Sequence, residues 1–457
     1  MIKNSKTKFV SILICTVILF SIFQTVCFAA PDITEKVNSQ AAVLYSVDTK
    51  EAIFAKNADT PIPMGVLSQI MTAVLLLESG KDLSETVTKP SEISNALFKK
   101  GMPDAATLNG EKVTLKDLYN GMMVFAASDC AGMIAYHLGG ESIPRFVEMM
   151  NERGKALGMK NTVFTNVYGF GEADGCTTAN DMAILLAHAV GLEGFLDTAG
   201  QLKYTFEKTN KHSSARTYST TIMLQDKARG GKYYYANAIG VKTGFTNASG
   251  RVIATYARAN GYSYIMIGLN APTSYSSGEK ISDNLSFMDA KALFSWGFSN
   301  YKYLNVLSQT EIIQTLKVKL CSESDTVQLV PQESFRALLD KETDLKKIER
   351  KVTLTRPQPL YAPVKEGEVC GYVELIMDGK VLAKVSIVTN ASLKSNGFLV
   401  FFNGVQNFFN SLAVKISLIA AFILITAYIF ITVRYNNIKA KRKKQKEARK
   451  NASFNDR

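Results

Sequence analysis

The sequence predicts an α+β domain followed by a small all-β domain and a C-terminal transmembrane helix. Three observations support this fold class. Helical and strand patterns alternate over residues 40–298, short β runs alone occupy residues 303–390, and an unbroken apolar run fills residues 416–433. With 457 residues, 47% of them hydrophobic, the chain is long enough for two or three domains with packed cores.

The elements of the first domain follow from local patterns. Residues 41–46 and 52–55 predict a β-hairpin, and residues 65–78 are apolar on nearly every side, which is typical of a buried helix. Short turns containing glycine and asparagine join three predicted strands. The helical patterns cover residues 114–138, 143–157, 180–190 and 289–296, and the strands are residues 238–242, 251–257 and 262–269.

The second domain consists of short strands separated by turn residues. These strands predict a small β-sandwich over residues 303–390, between the first domain and the membrane. We expect it to act as a spacer or a docking domain. Its predicted strands are residues 312–320, 326–330, 348–354, 371–377 and 380–388.

The N-terminus has the order of a secretory signal. Three lysines, Lys3, Lys6 and Lys8, precede an apolar stretch, and small residues follow it up to Ala30. We therefore predict a signal peptide over residues 1–30, with an uncleaved N-terminal anchor as the alternative. In either case the body of the protein is exported.

The C-terminal apolar run has the length of one transmembrane helix, and a basic tail over residues 434–457 follows it. Because positive charge stays on the cytoplasmic side, we expect a single-pass protein of the cell membrane with its large domain outside and its tail in the cytoplasm. The tail is either solvated or in contact with anionic headgroups. Residues 391–415, which are rich in phenylalanine, form either a simple linker or a helix on the outer leaflet.

Composition excludes some functions. The net charge of +13 does not indicate a nucleic-acid partner, because it lies mostly in the tail and the first eight residues. Three histidines and no Cys-x-x-Cys pair leave little material for a metal site, so we expect neither a metal nor another cofactor. We expect Cys130, Cys176, Cys321 and Cys370 to be unpaired and buried. The alternative is a bridge from Cys321 to Cys370 or from Cys130 to Cys176.

One short motif points to chemistry. Lys242-Thr243-Gly244 lies on a predicted strand that follows a buried helix and a serine-containing loop. Here the chain resembles the membrane-bound penicillin-binding D-alanyl-D-alanine carboxypeptidases, relatives of the serine β-lactamases. The resemblance extends over roughly residues 40–390 and implies that residues 31–302 form a β-lactamase/transpeptidase-like domain, with an antiparallel sheet flanked by helices and a helical subdomain. It is carried by residues 70–73, 178–183, 240–251 and 289–298.

The resemblance implies a role for each family motif. A serine attacks the peptide, and a lysine three residues later on the same helix face takes its proton. The serine of a Ser-x-Asn motif passes protons, while the asparagine holds the substrate's amide. The strand with Lys242, Thr243 and Gly244 pairs with the peptide backbone, and its lysine and threonine receive the substrate's carboxylate.

The chain departs from this pattern at the catalytic positions. Aligning residues 70–73 with those after the family's lysine puts Val66 at the nucleophile position and Gln69 at the general-base position. In the second motif, Ser128-Asp129-Cys130, the serine is kept and Cys130 stands where asparagine is expected. Valine has no oxygen for attack, and a glutamine amide is not basic. Losing the nucleophile alone removes about a millionfold of rate from a serine hydrolase.

Other residues offer poor replacements. Ser68 lies two positions along the helix, which turns its side chain by about 200°, and Met71 stands where its base should be. Ser128 near Lys242 is the least implausible substitute, and Cys130 lacks a histidine partner.

We therefore expect a homologue of the serine-type D-Ala-D-Ala carboxypeptidases with impaired catalysis. It would keep binding to the peptidoglycan stem peptide or have a regulatory role in cell-wall metabolism, with the membrane and an active cell-wall enzyme as further partners. One alternative is an active carboxypeptidase that uses a non-standard site. The other is a structural protein of the envelope or of sporulation.

Overall fold

The computed structural model describes residues 33–93, 102–169 and 175–452, with side chains up to residue 446. The predicted signal peptide lies outside these ranges. The chain divides into two compact units, Met1–Lys302 and Tyr303–Arg457. The first unit mixes helices with an antiparallel sheet and the second begins as an all-β domain, so the predicted fold class is confirmed.

The first unit is built on a five-stranded antiparallel sheet with the order β2-β1-β11-β10-β9, so β9 forms one edge. Three further pairs, β3 with β6, β4 with β5 and β7 with β8, lie outside it. The strands are β1 (Ala41–Ser46), β2 (Glu51–Lys56), β3 (Ile62–Pro63), β4 (Thr86–Thr88), β5 (Lys112–Thr114), β6 (Cys176–Thr177), β7 (Lys203–Phe206), β8 (Arg216–Ser219), β9 (Ala238–Thr246), β10 (Gly250–Ala259) and β11 (Tyr262–Ala271).

The described residues of this unit also form seven α-helices. They are α1 (Ser68–Glu78), α2 (Leu115–Phe125), α3 (Ser128–Leu138), α4 (Ile143–Leu157), α5 (Ala179–Ala189), α6 (Phe195–Ala199) and α7 (Leu285–Asn300). The predicted buried helix is α1 together with the preceding 3₁₀ turn Gly65–Leu67. Helix α1 packs against α2, α3, α4 and α5, which explains why it is apolar on nearly every side.

The helical region predicted over residues 114–138 is broken into α2 and α3 by a two-residue corner. Thr114 and Asp117 form a capping box that starts α2. Helix α2 ends at Phe125. The following residue, Ala126, has left-handed backbone angles (φ 65°, ψ 33°), and Ala127 after it is extended. Neither glycine nor proline marks this break, so the sequence pattern did not reveal it.

The second unit contains a six-stranded sheet with the order β16-β18-β19-β14-β13-β17 and a separate pair, β12 with β15. All strands predicted from the sequence are present with small shifts of their ends. The strands are β12 (Tyr301–Leu307), β13 (Gln314–Lys319), β14 (Thr326–Pro331), β15 (Phe335–Asp340), β16 (Glu349–Leu354), β17 (Leu360–Tyr361), β18 (Val369–Met377) and β19 (Lys380–Thr389).

Two helices follow the β-strands in the described residues: α8 (Gly397–Asn410) and α9 (Leu412–Ala452). Within the described residues, Leu412–Lys446 is the helix long and apolar enough to cross a membrane, and its most apolar window has a mean hydropathy of 2.6. Helix α9 extends beyond the predicted residues 416–433 because the following Lys-, Arg- and Ala-rich sequence favours helix and contains no glycine or proline.

Candidate functional site

Val66 lies in the 3₁₀ turn Gly65–Leu67, directly against strand β9. Its side chain is 2% exposed. A Cβ atom added to Gly244 would come within 2.6 Å of Val66 Cγ2, so the valine methyl fills the space that glycine leaves on the strand. The structure thus brings the predicted nucleophile position to the Lys-Thr-Gly strand, but an alkyl group stands there.

Gln69, in the first turn of α1, is fully buried. Its Nε2 donates weakly to two backbone carbonyl oxygens, of Tyr168 at 3.4 Å and of Ala126 at 3.5 Å. In the described part of the chain nothing donates to its Oε1. The glutamine therefore bridges the 168–169 segment and the α2–α3 corner without offering a base.

Residues 166–169 cover Val66 from another side. Asn166 Oδ1 accepts hydrogen bonds from the backbone N–H groups of Tyr168 at 3.0 Å and Gly169 at 2.8 Å. Gly169 has φ +75°, and a Cβ atom there would lie 2.4 Å from Val66 Cα. Only glycine fits both this backbone conformation and this close approach.

The α2–α3 corner contacts both Gln69 and Lys242. The Ala126 N–H donates to Met122 O at 3.1 Å, and Lys242 Nζ donates to the same oxygen. The Ala126 carbonyl accepts from Gln69. Ala126 is therefore the corner residue next to both side chains, and sequence reasoning missed it because its alanine resembles no motif. Its left-handed conformation, unusual for a residue with a Cβ, was the structural signal.

Ser128 and Asp129 begin α3. Ser128 is fully buried, its N–H donates to Pro103 O at 2.8 Å, and its Oγ lacks a hydrogen-bond partner among the described residues. The Asp129 carboxylate accepts from Ala105 N at 2.9 Å and from Thr107 Oγ1 at 2.6 Å. Asp129 therefore holds the preceding loop in place.

Cys130 lies in the interior of the helix pair α2–α3. A Cβ atom on Gly121 of α2 would come within 2.7 Å of its Sγ, and the residue is fully buried. Burial raises the pKa of the Cys130 thiol well above its ordinary value. A buried, neutral thiol is neither a nucleophile nor an exposed partner for a substrate amide. Cys130, Cys176, Cys321 and Cys370 are all free thiols.

Lys242 on β9 points into the protein. It is 1% exposed, and its Nζ donates to the carbonyl oxygens of Met122 and, at 3.5 Å, Met123 in the last turn of α2. Burial lowers the pKa of Lys242 to about 7. The neighbouring Thr243 donates from Oγ1 to Val252 O at 2.9 Å.

Arg251, on the adjacent strand, is a polar group outside the three family motifs. The pairing of β9 with β10 sets it opposite Phe245. Its guanidinium carbon lies 6.0 Å from the centre of the Phe245 ring, and its Nε is buried with no hydrogen-bond partner among the described residues. For metals, the described ranges contain no group of three or more His, Cys, Asp or Glu residues placed to hold an ion.

Comparison with family models gives two matches along the chain. Residues 27–273 match the model described as D-alanyl-D-alanine carboxypeptidase. Residues 301–395 match the model described as penicillin-binding protein 5, C-terminal domain. The first match covers more than half of the chain.

Curated relatives and solved structures give consistent results. The chain is 25% identical to the D-alanyl-D-alanine carboxypeptidase DacF of Bacillus subtilis over 367 residues, which is 79% of this chain and 88% of the relative. It is 24% identical to the D-alanyl-D-alanine carboxypeptidase DacC of Escherichia coli over 388 residues, 82% of this chain and 90% of the relative. The crystal structure of penicillin binding protein 5 from Haemophilus influenzae aligns with a TM-score of 0.57 at 23% identity. The alignment covers 79% of this chain and 98% of that one, and it supports the fold.

Proposed function

The chain belongs to the D-alanyl-D-alanine carboxypeptidase family, and from this premise we propose that it is a catalytically impaired member that still binds the peptidoglycan stem peptide. The observation that carries the proposal is the packing of Val66 against Gly244 of β9. At the position where the family's nucleophile is expected, this chain has an alkyl group, and an acyl-enzyme cannot form without an oxygen.

The proposal also covers the proton-transfer groups. Gln69 stands at the base position, and its amide hydrogen bonds go to backbone carbonyls. We assign the second-motif serine position to Ala126 rather than Ser128, because Ala126 contacts Gln69 and shares the Met122 oxygen with Lys242. The motif then reads Ala126-Ala127-Ser128, and nucleophile, base and proton-passing hydroxyl are all replaced.

Retained peptide binding is supported by strand β9. This strand is an edge of the five-stranded sheet, and an edge strand can pair with an extended peptide through backbone hydrogen bonds. Thr243 and Gly244, which the family uses to hold the substrate, are both present on it. Binding without turnover is the property that a regulator of cell-wall metabolism needs, and an active cell-wall enzyme is the partner we expect.

The proposed location is the outer face of the cell membrane. The apolar helix Leu412–Lys446 would anchor the chain in a single pass, with the large domain outside and the basic tail, residues 434–457, in the cytoplasm. The domains would then lie close to the peptidoglycan, where stem peptides are found.

Labelling by a fluorescent penicillin tests the loss of chemistry. Four full-length proteins are compared in detergent. They are the native protein, the double variant Val66→Ser/Gln69→Lys, the double variant with Ala126→Ser added, and, as a matched control, the double variant with Ala127→Ser added. The expected result is no label on the native protein or on the Ala127→Ser control and a covalent label on the Ala126→Ser triple variant. A labelled native protein would refute impaired catalysis. If the double variant and the Ala126→Ser triple variant are labelled equally, the proton-passing hydroxyl belongs to Ser128 and not to position 126.

Peptide binding needs a separate measurement. Titration calorimetry of the native protein with diacetyl-L-Lys-D-Ala-D-Ala should give saturable binding, and release of D-alanine should stay at the uncatalysed rate. If the peptide does not bind, the structural role in the envelope becomes the better explanation.

A further inference from the structure

The second domain is joined to helix α8 by an ordered stretch of chain. Leu393 is buried in the domain core and exchanges two backbone hydrogen bonds with Val364, at 2.8 and 2.9 Å. The Asn396 N–H donates to Leu320 O at 2.7 Å, and the Asn396 side chain caps α8. The position of α8 therefore fixes the neighbouring end of the sheet. We call it the α8 end, and it comprises residues 319–325, 361–369 and 390–396.

Two large apolar side chains are exposed at the α8 end. Tyr361 is 53% exposed and Val369 is 46% exposed. In the parallel β13–β17 ladder Tyr361 pairs with Lys319, which is also exposed. Tyrosine and lysine both combine an apolar body with a polar tip, and tyrosine is enriched where membrane meets water. The α8 end therefore has the side chains that suit the headgroup layer of a bilayer.

The charges of the α8 end cancel. Arg356 joins this end through its ion pair with Glu368. Because positive and negative groups are equal in number, an anionic membrane would attract this surface little more than a zwitterionic one. The basic and acidic residues are Lys319, Arg356, Lys365 and Lys394, and Glu323, Asp325, Glu366 and Glu368.

The opposite end of the sheet lies too far from α8 to share its surroundings. Strand β19 runs from the Asp378–Gly379 turn to Thr389, next to the α8 end. Ten residues of extended strand span about 30 Å. An interfacial helix lies only about 5–10 Å deep at the boundary of headgroups and acyl chains. With α8 at that depth, the α8 end meets the headgroups and the turn stands clear of them.

We propose that the α8 end of the second domain is a lipid-contact surface for the zwitterionic phospholipid headgroups of the outer leaflet. The domain then stands on the membrane in one orientation, with the β18–β19 turn pointing away from the lipid. This inference rests on the proposed anchoring of the chain by α9. It does not depend on peptide binding.

Fluorescence quenching in vesicles tests the inference on the full-length protein. Single tryptophans are introduced by Tyr361→Trp or Val381→Trp in a Trp296→Phe background, and the quencher is phosphatidylcholine with a nitroxide on its headgroup. Val381 is the matched control because it is 52% exposed and lies beside the β18–β19 turn of the same domain. The Tyr361→Trp protein should be quenched several-fold more strongly. Replacing part of the lipid by anionic phosphatidylglycerol should leave this difference unchanged.

A third variant, Ile423→Trp, reports the anchoring itself. Ile423 lies within the apolar part of α9, so its tryptophan should be quenched by phosphatidylcholine with a nitroxide at the chain end. If it is quenched while the other two tryptophans respond equally, the lipid-contact surface is wrong and the anchoring stands. Without quenching at position 423, both are wrong. Stronger quenching at position 361 only with anionic lipid would overturn the zwitterionic assignment. None of these measurements uses the peptide, so the proposed peptide binding is judged separately.

Discussion

At the scale of single residues, Gly169 limits which side chains can pack around Val66. Replacement by alanine would place a Cβ atom 2.4 Å from Val66 Cα on a backbone with φ +75°. We expect Gly169→Ala to lower the free energy of unfolding by about 3 kcal/mol, from backbone strain and overpacking together. The fluorescence of Trp296, the single tryptophan and part of the first unit, follows the unfolding in denaturant.

Gly158 separates the two causes. It has φ +89°, and nothing lies within 4 Å of an added Cβ atom. Gly158→Ala should therefore cost only the backbone term, about 1 kcal/mol. Equal losses at both positions would show that the contact with Val66 does not matter.

Lys242 makes the stability of the first unit depend on pH. Its pKa is lowered to about 7 in the folded protein, whereas an unfolded lysine titrates near its ordinary value, about 10.4. Between these values the unfolded chain binds more protons, so the folded state gains stability as pH rises through 7 and loses it as pH falls. From pH 7 to pH 8 the gain should be about 1 kcal/mol.

The variant Lys242→Met isolates this contribution. This variant should lack the gain in stability between pH 7 and pH 8. Other titrating groups, including buried Lys89, affect both proteins alike. Denaturant unfolding of both proteins at pH 7 and pH 8 gives the comparison. Parallel pH profiles for the two proteins would mean that Lys242 keeps an ordinary pKa.

At the scale of elements, the sequence was a good guide to whole helices and strands and a poor one to the corner that shapes the site. The apolar texture of residues 65–78 correctly indicated a buried helix, since a helix surrounded by four others needs no polar face. The break at Ala126 had no such signature, because alanine favours helix and only the tertiary contacts hold it in a left-handed conformation. The sequence alone places Ser128 in the second motif because it does not reveal that break. The hairpin of β7 and β8 was also missed, because its short strands are partly exposed and weakly patterned.

The corner makes a prediction of its own. Ala126→Gly removes backbone strain at φ 65°, so the variant should be as stable as the native protein or up to about 1 kcal/mol more stable. Ala127→Gly, at an equally buried position with ordinary extended angles, should instead lose about 1 kcal/mol. Denaturant midpoints measure both, and a reversed order would contradict the strain at Ala126.

At the scale of the whole molecule, the chain carries two distinct features for a membrane. The apolar helix α9 is long enough to span it, and α8, which precedes it by one residue, is uncharged. On a helix of 100° per residue, one 120° sector of α8 carries the exposed phenylalanines, and the asparagines and the glutamine lie outside that sector. These aromatic residues are Phe398, Phe401, Phe402, Phe408 and Phe409.

We expect helix α8 to lie along the outer leaflet, perpendicular to the membrane-spanning helix α9, with its aromatic face in the lipid. Two variants are made in a Trp296→Phe background and reconstituted in vesicles. The tryptophan fluorescence of Phe401→Trp should be strongly quenched by brominated lipids. The fluorescence of Asn403→Trp, on the other side of the helix, should be quenched much less. Equal quenching at the two positions would identify α8 as a simple linker.

The packing of Val66, Gln69 and Ala126 also has an evolutionary consequence. A serine at position 66 alone would have no base, and a lysine at position 69 alone would have no nucleophile to serve. Because catalytic groups that act as a unit give little benefit singly, no one substitution returns a selectable fraction of the activity. Under the proposed function, more than one substitution is therefore needed to restore measurable carboxypeptidase activity.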